Sequence, residues 1–435
     1  MKIAKATISI LAAGALLGAM PSNAFAQDKK MLEELKQSGI ITTDQASSIV
    51  KNMTIARPEC ENSLKFSLWG LTQFVYSYSD LEIGDTSESF DGISLCRMFL
   101  GVRAEMEGNW KAALTIDFCR RSTNGSNYLL DCFVTKSFDI ENYPISFTLG
   151  IKKVQMSYEE NLGCANIPAI DSSIVTKYFT YSQNNSRLGM GVRYLGLFCD
   201  GDIGDVKGLK YHLAVTNSIN NSILMRTHLS GKETNPVNDN NVNLWAALIY
   251  TCKPTDDISL TFGAKSGYGA SANIISNDKY GAIAEVNPFV VIKYQKDFVL
   301  WADGMLANVE YGSRDRQSTA RPMGYNVCGE YYFCEDADYG RLSAVVRFSH
   351  LFTDGRGVNM KDVLLNSKGA TRDRPQTLYF DKAFTIYGGL NWYINGNDMK
   401  FQIGYEYANF RDPYNTADNP QANMHIARAQ LQVRF

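Results

Sequence analysis

The residues of this chain best placed to do chemistry are arginines and lysines that return at every second position within otherwise apolar segments. In the last segment Arg428, Gln430, Gln432 and Arg434 alternate with Ala427, Ala429, Leu431, Val433 and Phe435. A period of two puts one set on each face of a β-strand. By the same parity Arg97, Arg103, Glu105 and Glu107 oppose Met98, Leu100, Val102, Ala104 and Met106, and Arg187 with Arg193 oppose Leu188, Met190, Val192 and Tyr194. Lys210 and His212 oppose Tyr211, Leu213 and Val215, while Lys400, Gln402 and Glu406 oppose Ile403, Tyr405 and Tyr407. Cations fixed on one wall of a sheet attract and orient anions; that is binding and steering, not bond-making.

Bond-making chemistry has no comparable signature. GxSxG, HExxH and P-loop patterns are absent, and the neighbours Ser349 and His350 point to opposite faces of a strand. The four histidines are far apart and the nine cysteines form no CxxC, so no metal, no cofactor and no enzyme activity is expected. An odd number of cysteines leaves at least one thiol unpaired; Cys119 with Cys132, or Cys328 with Cys334, are the pairs that a hairpin could bridge.

The elements that must hold these cations follow from the rest of the chain. Its 435 residues are 45% hydrophobic and 20% charged, with 43 Lys and Arg against 45 Asp and Glu. That composition excludes a polytopic helical membrane protein, a disordered chain and a basic nucleic-acid-binding domain. Lys2 and Lys5 precede the apolar run from Ile8 to Met20 and the small-residue site Ala24-Phe25-Ala26, the pattern of a secretory signal peptide over 1–26. Residues 27–60 change to helical spacing, with Met31, Leu32 and Leu35 on one stripe and Thr42 with Gln45 as a capping box. They read as two short periplasmic helices that could serve as a spacer, a plug or a contact with peptidoglycan.

From 61 to 435 the pattern is all-β. Sixteen segments of period-two alternation run from 64–78 and 93–107, through 186–199 and 207–218, to 398–409 and 423–435. Tight turns at Gly108, Lys296-Asp297, 335–338 and 395–398 alternate with longer polar connections at 79–92, 155–185, 219–241, 269–282, 352–382 and 410–422. The expectation is a 16-stranded antiparallel transmembrane β-barrel, short turns at one rim and long loops at the other. Closure has a physical reason: in hydrocarbon every backbone N–H and C=O must be paired, and strands achieve this only in a sheet without edges. Apolar side chains then face the lipid and lipopolysaccharide of an outer membrane, and polar ones face water. The terminal Phe435 looks like the signal read by the barrel assembly machinery.

Inward parity collects Arg97, Arg103, Lys111, Lys152, Arg187, Arg193, Lys210, Lys265, Lys293, Arg341, Arg347, Lys400, Arg428 and Arg434, which outnumber Glu105, Glu107, Asp117, Asp131, Asp303, Glu330 and Glu406. A near-neutral protein would thus enclose a positive passage that prefers anions, unless opposed ladders of charge leave little net selectivity. The connection 155–185 starts beside Lys152 and Lys153 and carries Lys177, with Glu159, Glu160 and Asp171 between. Folded inward it would set a basic ring at a constriction; alternatively it packs its acids against those lysines.

Several stretches resemble the phosphate-selective porin O and P family of Gram-negative outer membranes: RMFLGVRAEME (97–107) followed by Trp110, GIKKVQMSYEE (150–160), YHLAVTN (211–217), RFSHLFTDGRG (347–357), GGLNWYING (388–396) and LQVRF (431–435). The resemblance implies a trimeric channel for passive uptake, a third loop folded inward, and Arg97, Arg103, Lys152 and Lys153 as contacts for anions such as phosphate. Where the family tends to pair two basic residues at the start of the second strand, this chain has Cys96-Arg97. A second reading is a structural or adhesive barrel with a blocked lumen and ligand-binding surface loops.

Overall fold

The computed structural model describes residues 64–435 apart from 85, 122–126, 142, 182–186, 205, 218–241, 271–281, 314–315, 337–338, 365–378 and 412–420. The signal peptide and the helical segment expected over 1–60 lie outside the described residues, as does the connection 219–241.

Strands β1 (Lys65–Ile83), β2 (Thr86–Met106), β3 (Trp110–Arg121), β4 (Asn127–Ile140), β5 (Tyr143–Lys153), β6 (Arg193–Asp202), β7 (Leu209–Asn217) and β8 (Val242–Cys252) make one half of a continuous sheet. The other half is β9 (Ile258–Ala270), β10 (Ala282–Tyr294), β11 (Phe298–Ser313), β12 (Met323–Asp336), β13 (Gly340–Phe352), β14 (Lys382–Asn397), β15 (Met399–Arg411) and β16 (Gln421–Arg434). Each strand pairs with the one before it, and β16 returns to β1. The stretch Arg316–Ala320 precedes β12 on the same ladder, Val309 facing Ala320 and Leu306 facing Met323. The break falls at Arg321-Pro322, where proline has no N–H to give. The result is a closed barrel of sixteen antiparallel staves, as expected.

The seam is made by the chain end. Register runs from Leu71 opposite Arg434 to Ile83 opposite Ala422. Beyond it Gly70 N donates to Phe435 O at 2.7 Å and Phe435 N to Gly70 O at 3.1 Å. A Cβ at position 70 would come within 2.4 Å of Phe435 Cζ, so glycine is what lets the terminal ring lie across β1. Separately from this body, residues 64–66 and Ala104–Gly108 form a small unit of strand ends finishing at the left-handed Gly108, φ 70.

Alternation along the strands separates two surfaces. Leu149, Val346 and Leu431 are exposed outward, whereas their neighbours Thr148, Val345 and Gln432 are buried inward. An outer surface of exposed Leu, Val, Phe and Tyr around a polar interior is the inverse of a water-soluble barrel and suits contact with hydrocarbon. The parities read for the segments holding Arg97, Lys400, His212 and Arg428 agree with this burial.

Three expectations are corrected. Strands β1 and β2 run on to Ile83 and from Thr86, so the connection at 79–92 shrinks to a turn with Gly84 at φ 56. The sixth strand begins at Arg193 rather than 186, and Leu188, Met190 and Tyr194 are buried inside rather than facing out. Leu195 and Leu197 take the outer face there, a one-residue change of phase that inverts every side chain. Third, neither of the two bridges expected of a hairpin forms. Cys328 and Cys334 lie on one strand, about 20 Å apart at a strand's rise per residue, and Cys132 faces Leu114 rather than Cys119.

Candidate functional site: the lumen

Two connections fold into the barrel. The first, 154–192, carries helices α1 (Tyr158–Leu162) and α2 (Ile174–Thr180). Each starts on a serine cap, Ser157 Oγ accepting from Glu160 N at 3.3 Å and Ser173 Oγ from Thr176 N at 3.1 Å, which gives an acceptor to N–H groups that a short helix cannot satisfy itself. The expected start of the sixth strand instead pairs, over 188–190, with the end of α2, Leu188 N donating to Tyr178 O and Met190 N to Phe179 O. The second, 353–364, carries the single turn α3 (Met360–Val363) and the two-residue pairing Val358–Asn359 with Tyr379–Phe380.

Together these segments bury an apolar cluster inside the barrel. Ile174, Val175, Tyr178 and Phe179 of α2 join Val358, Met360 and Leu364, and pack on inward Trp245, Ile283, Leu351, Phe410 and Met424. The last four stand toward the long-loop ends of β10, β13, β15 and β16. The connection 352–382, expected to be polar, thus has an apolar buried part among its described residues. The apolar spacing Val358, Met360, Val363, Leu364 was the available signal for it.

Irregular backbone sealed inside a barrel needs donors for its carbonyls, and the wall provides them from five strands and the seam. Lys265 Nζ donates to Ser157 O at 3.0 Å, Gln73 Nε2 to Cys164 O at 3.2 Å and Gln432 Nε2 to Ala165 O at 3.2 Å. Lys400 Nζ donates to Ile167 O at 3.1 Å, Asn391 Nδ2 and Gln402 Nε2 both reach Pro168 O at 3.0 and 2.8 Å, and Arg347 Nη1 reaches Asp171 O at 2.6 Å. Inward Lys, Gln, Asn and Arg on β1, β9 and β13–β16 are therefore a docking ladder for the first inward segment.

An ion network finishes the attachment. Glu159, fully buried, accepts from Ser173 N at 3.0 Å, Ser173 Oγ at 2.7 Å, Asn326 Nδ2 at 3.3 Å and Arg347 Nη1 at 3.2 Å. Arg347 Nη2 continues to Glu406 at 3.0 Å, Arg428 Nη1 meets the other Glu406 oxygen at 2.9 Å, and Lys177 Nζ holds Asp171 at 2.5 Å. Burial alone would raise the Asp171 carboxyl, but Lys177, Arg428 and Arg97 outweigh it and keep it well below the usual carboxylate range. A folded-state value depressed in this way contributes stability at every pH above the ordinary carboxylate range, lost only as pH falls through the depressed value. On α1, burial pushes the Tyr158 phenol up to about 12, its ring stacked 5.3 Å from Phe289.

The cations singled out in the sequence thus separate into groups. Arg347, Arg428 and Lys177 belong to the buried network. Lys152 pairs with Asp200 at 2.6 Å, Lys153 with Glu160 at 2.6 Å, Arg193 with Asp131 at 2.7 Å and Arg434 with Asp398 at 2.5 Å. The Lys153–Glu160 pair realises the alternative in which the third loop packs its acids against the lysines at its start. Arg97 donates to the neutral Gln73 Oε1 at 2.7 Å, and the Arg103 guanidinium lies 5.4 Å from the Trp69 ring centre, which has room because position 101 is glycine. Lys111 is exposed on β3 and half-buried Arg187 precedes β6.

Burial divides the inner wall into two sectors. On β9–β16 the inward Lys265, Glu330, Lys400, Glu406 and Arg428 are all under the inward segments, none more than 9% exposed. On β5–β7 the side chains of Lys152, Asp200 and His212 keep 23–26% of their surface, and Arg103 and Lys111 on β2 and β3 are exposed. Among the described residues, accessible inward charge lies along β2–β7 and, on the other half of the wall, at Lys293, Arg341 and Arg434 next to the short turns of β10, β13 and β16.

No family model and no curated protein matches the chain. Among solved structures it resembles an anion-selective porin from Comamonas acidovorans, with TM-score 0.55 at 10% identity over 86% of this chain and 100% of the other. It also resembles the outer membrane channel DcaP of Acinetobacter baumannii, with TM-score 0.53 at 12% identity over 86% and 98%. The third is Pseudomonas putida OprB, with TM-score 0.52 at 9% identity over 85% and 94%. At these identities the likeness is one of fold: the chain is built as outer-membrane porins are.

Proposed function

We propose that this protein is an outer-membrane channel for passive diffusion of small hydrophilic solutes, with a preference for small anions, phosphate among them. The observation that carries the reading is the division of the inner wall. The two inward segments cover β9–β16 and leave the accessible cations Arg103 and Lys111, with Arg97 and Lys152 beside them, along β2–β7. Solutes pass along that sector, where a low-dielectric wall makes each accessible charge act over a longer range than in bulk water. Arg187, close to the end of the first inward segment, flanks the same route. Export by residues 1–26, assembly through Phe435 and a homotrimeric state complete the proposal; one of the proteins sharing the fold is itself described as anion-selective.

A second reading has its own observation. The apolar cluster of α2, α3 and the wall is as dry as a soluble core, which favours a plugged barrel acting through its surface loops. Liposome swelling separates the two. Vesicles carrying the protein are expected to swell in isotonic arabinose and faster in isotonic sodium phosphate. Swelling no faster than in protein-free vesicles would reject the channel.

A further inference from the structure

One charged group on the accessible sector takes no part in docking the inward segments. Asp200 on β6 stands directly across from His212 on β7. Its Oδ1 lies 2.7 Å from His212 Nδ1 and its Oδ2 lies 2.6 Å from Lys152 Nζ, which reaches across from β5. The three border a shallow recess on the lumenal wall, open on one side and backed by Phe198, Ala214 and Trp245.

The hydrogen bonding decides what this recess can hold. A carboxylate only accepts, so the ring nitrogen facing it, Nδ1, carries the proton in the neutral imidazole. Nε2 is then a bare acceptor, and Lys152, Asp200 and neutral His212 sum to zero charge. A second proton on the ring converts Nε2 into a donor on the side away from Asp200 and gives the group a net positive charge. Lys152, with one of its three N–H bonds directed at Asp200, has others to offer.

We propose that Lys152, Asp200 and His212 form a lumenal binding site for a small oxyanion, a carboxylate or phosphate, taken up together with one proton. This deepens the channel reading and rests on it. An oxyanion offers two oxygens, one for Nε2–H and one for the lysine ammonium, whereas a halide must serve both donors from a single centre. The charged neighbours of the ring are engaged elsewhere. On its own strand Lys210 is directed to Asp202 at 3.6 Å. On β5 Lys153 is held by Glu160. On β8 the inward neighbours are Trp245 and Ala247, and on β9 Lys265 is bonded to Ser157 O.

The test uses the full chain in micelles and in planar bilayers, with acetate as probe because it stays singly charged through the histidine range. An anion bound only by the protonated ring must raise the ring's titration midpoint. At equal ionic strength, replacing chloride by about 0.1 M acetate is expected to raise the His212 midpoint by about half a pH unit, close to a threefold change in proton affinity. His350 and His425 are expected to stay put, and Lys152→Gln to shrink the shift. In bilayers the acetate-to-potassium permeability ratio is expected to rise about threefold from pH 8 to pH 6, where acetate remains an anion, and to be flat in His212→Asn. A His212 midpoint equal in chloride and acetate, in a channel that conducts, overturns the site and leaves the channel reading standing. Absence of current overturns the channel reading, and the ring titration still decides the site.

Discussion

Arg347→Ala is expected to destabilise the barrel by about 3–5 kcal/mol, the range for removing one partner of a buried ion pair. The guanidinium, 1% exposed, joins Glu159, the Asp171 carbonyl and Glu406. Without it the buried Glu159 loses its cation, Glu406 is left to Arg428, and the carbonyl at 171 loses its donor. The loss falls on the attachment of α1 and α2 rather than on the strand ladders. Urea unfolding in micelles should therefore show a lower midpoint, and amide exchange should accelerate first at 164–178. Arg347→Lys, which keeps a charge but cannot fork to two acids, is expected to fall between. An Arg347→Ala protein as stable as the parent, with unchanged exchange in the first inward segment, would mean that this segment is held by something other than the network.

Reversing accessible charge on β2 is expected to have the largest effect on selectivity. Arg103→Glu combined with Arg97→Gln removes two positive charges and adds one negative on the sector assigned to solute passage. The anion-to-cation permeability ratio should fall on the order of tenfold, as read from reversal potentials in a potassium chloride gradient. The variant at 103 is placed at an exposed side chain whose contact is the face of Trp69, so folding is not at issue. The matched control is Lys400→Gln, a cation buried under the first inward segment, whose replacement should leave selectivity where it was. Equal effects from the two would place the route elsewhere in the barrel.

These two experiments probe different parts of what the sequence discloses. The strand faces were legible wherever lipid lies on one side and polar groups on the other. Ala427 to Phe435, Met98 to Met106 and Ile403 to Tyr407 alternate cleanly because hydrocarbon and a hydrogen-bonding interior impose opposite demands. Legibility failed at 186–194, where the interior is itself apolar: Leu188, Met190 and Tyr194 pack on α2 and Trp245, so hydrophobicity no longer marks the outside. It failed in the same way at 358–364. The inward cations were visible as a set, but their tasks were not, because parity reports the face of a side chain and not its partner. Lys400 reaches a carbonyl 233 residues away and Arg347 a carboxylate 188 residues away. Only closure of the barrel brings such groups together. By contrast, the short contacts Lys153 to Glu160 and Asp171 to Lys177 lie within one connection, and their opposite charges were already readable there.

The most direct test of the whole account is the current through single barrels in a planar bilayer. A sealed cylinder with a wet route along β2–β7 predicts small ohmic steps of uniform size in potassium chloride, with a reversal potential of the sign for anions. Stable insertion with no steps above the noise, or steps with a cation-selective reversal potential, would contradict it.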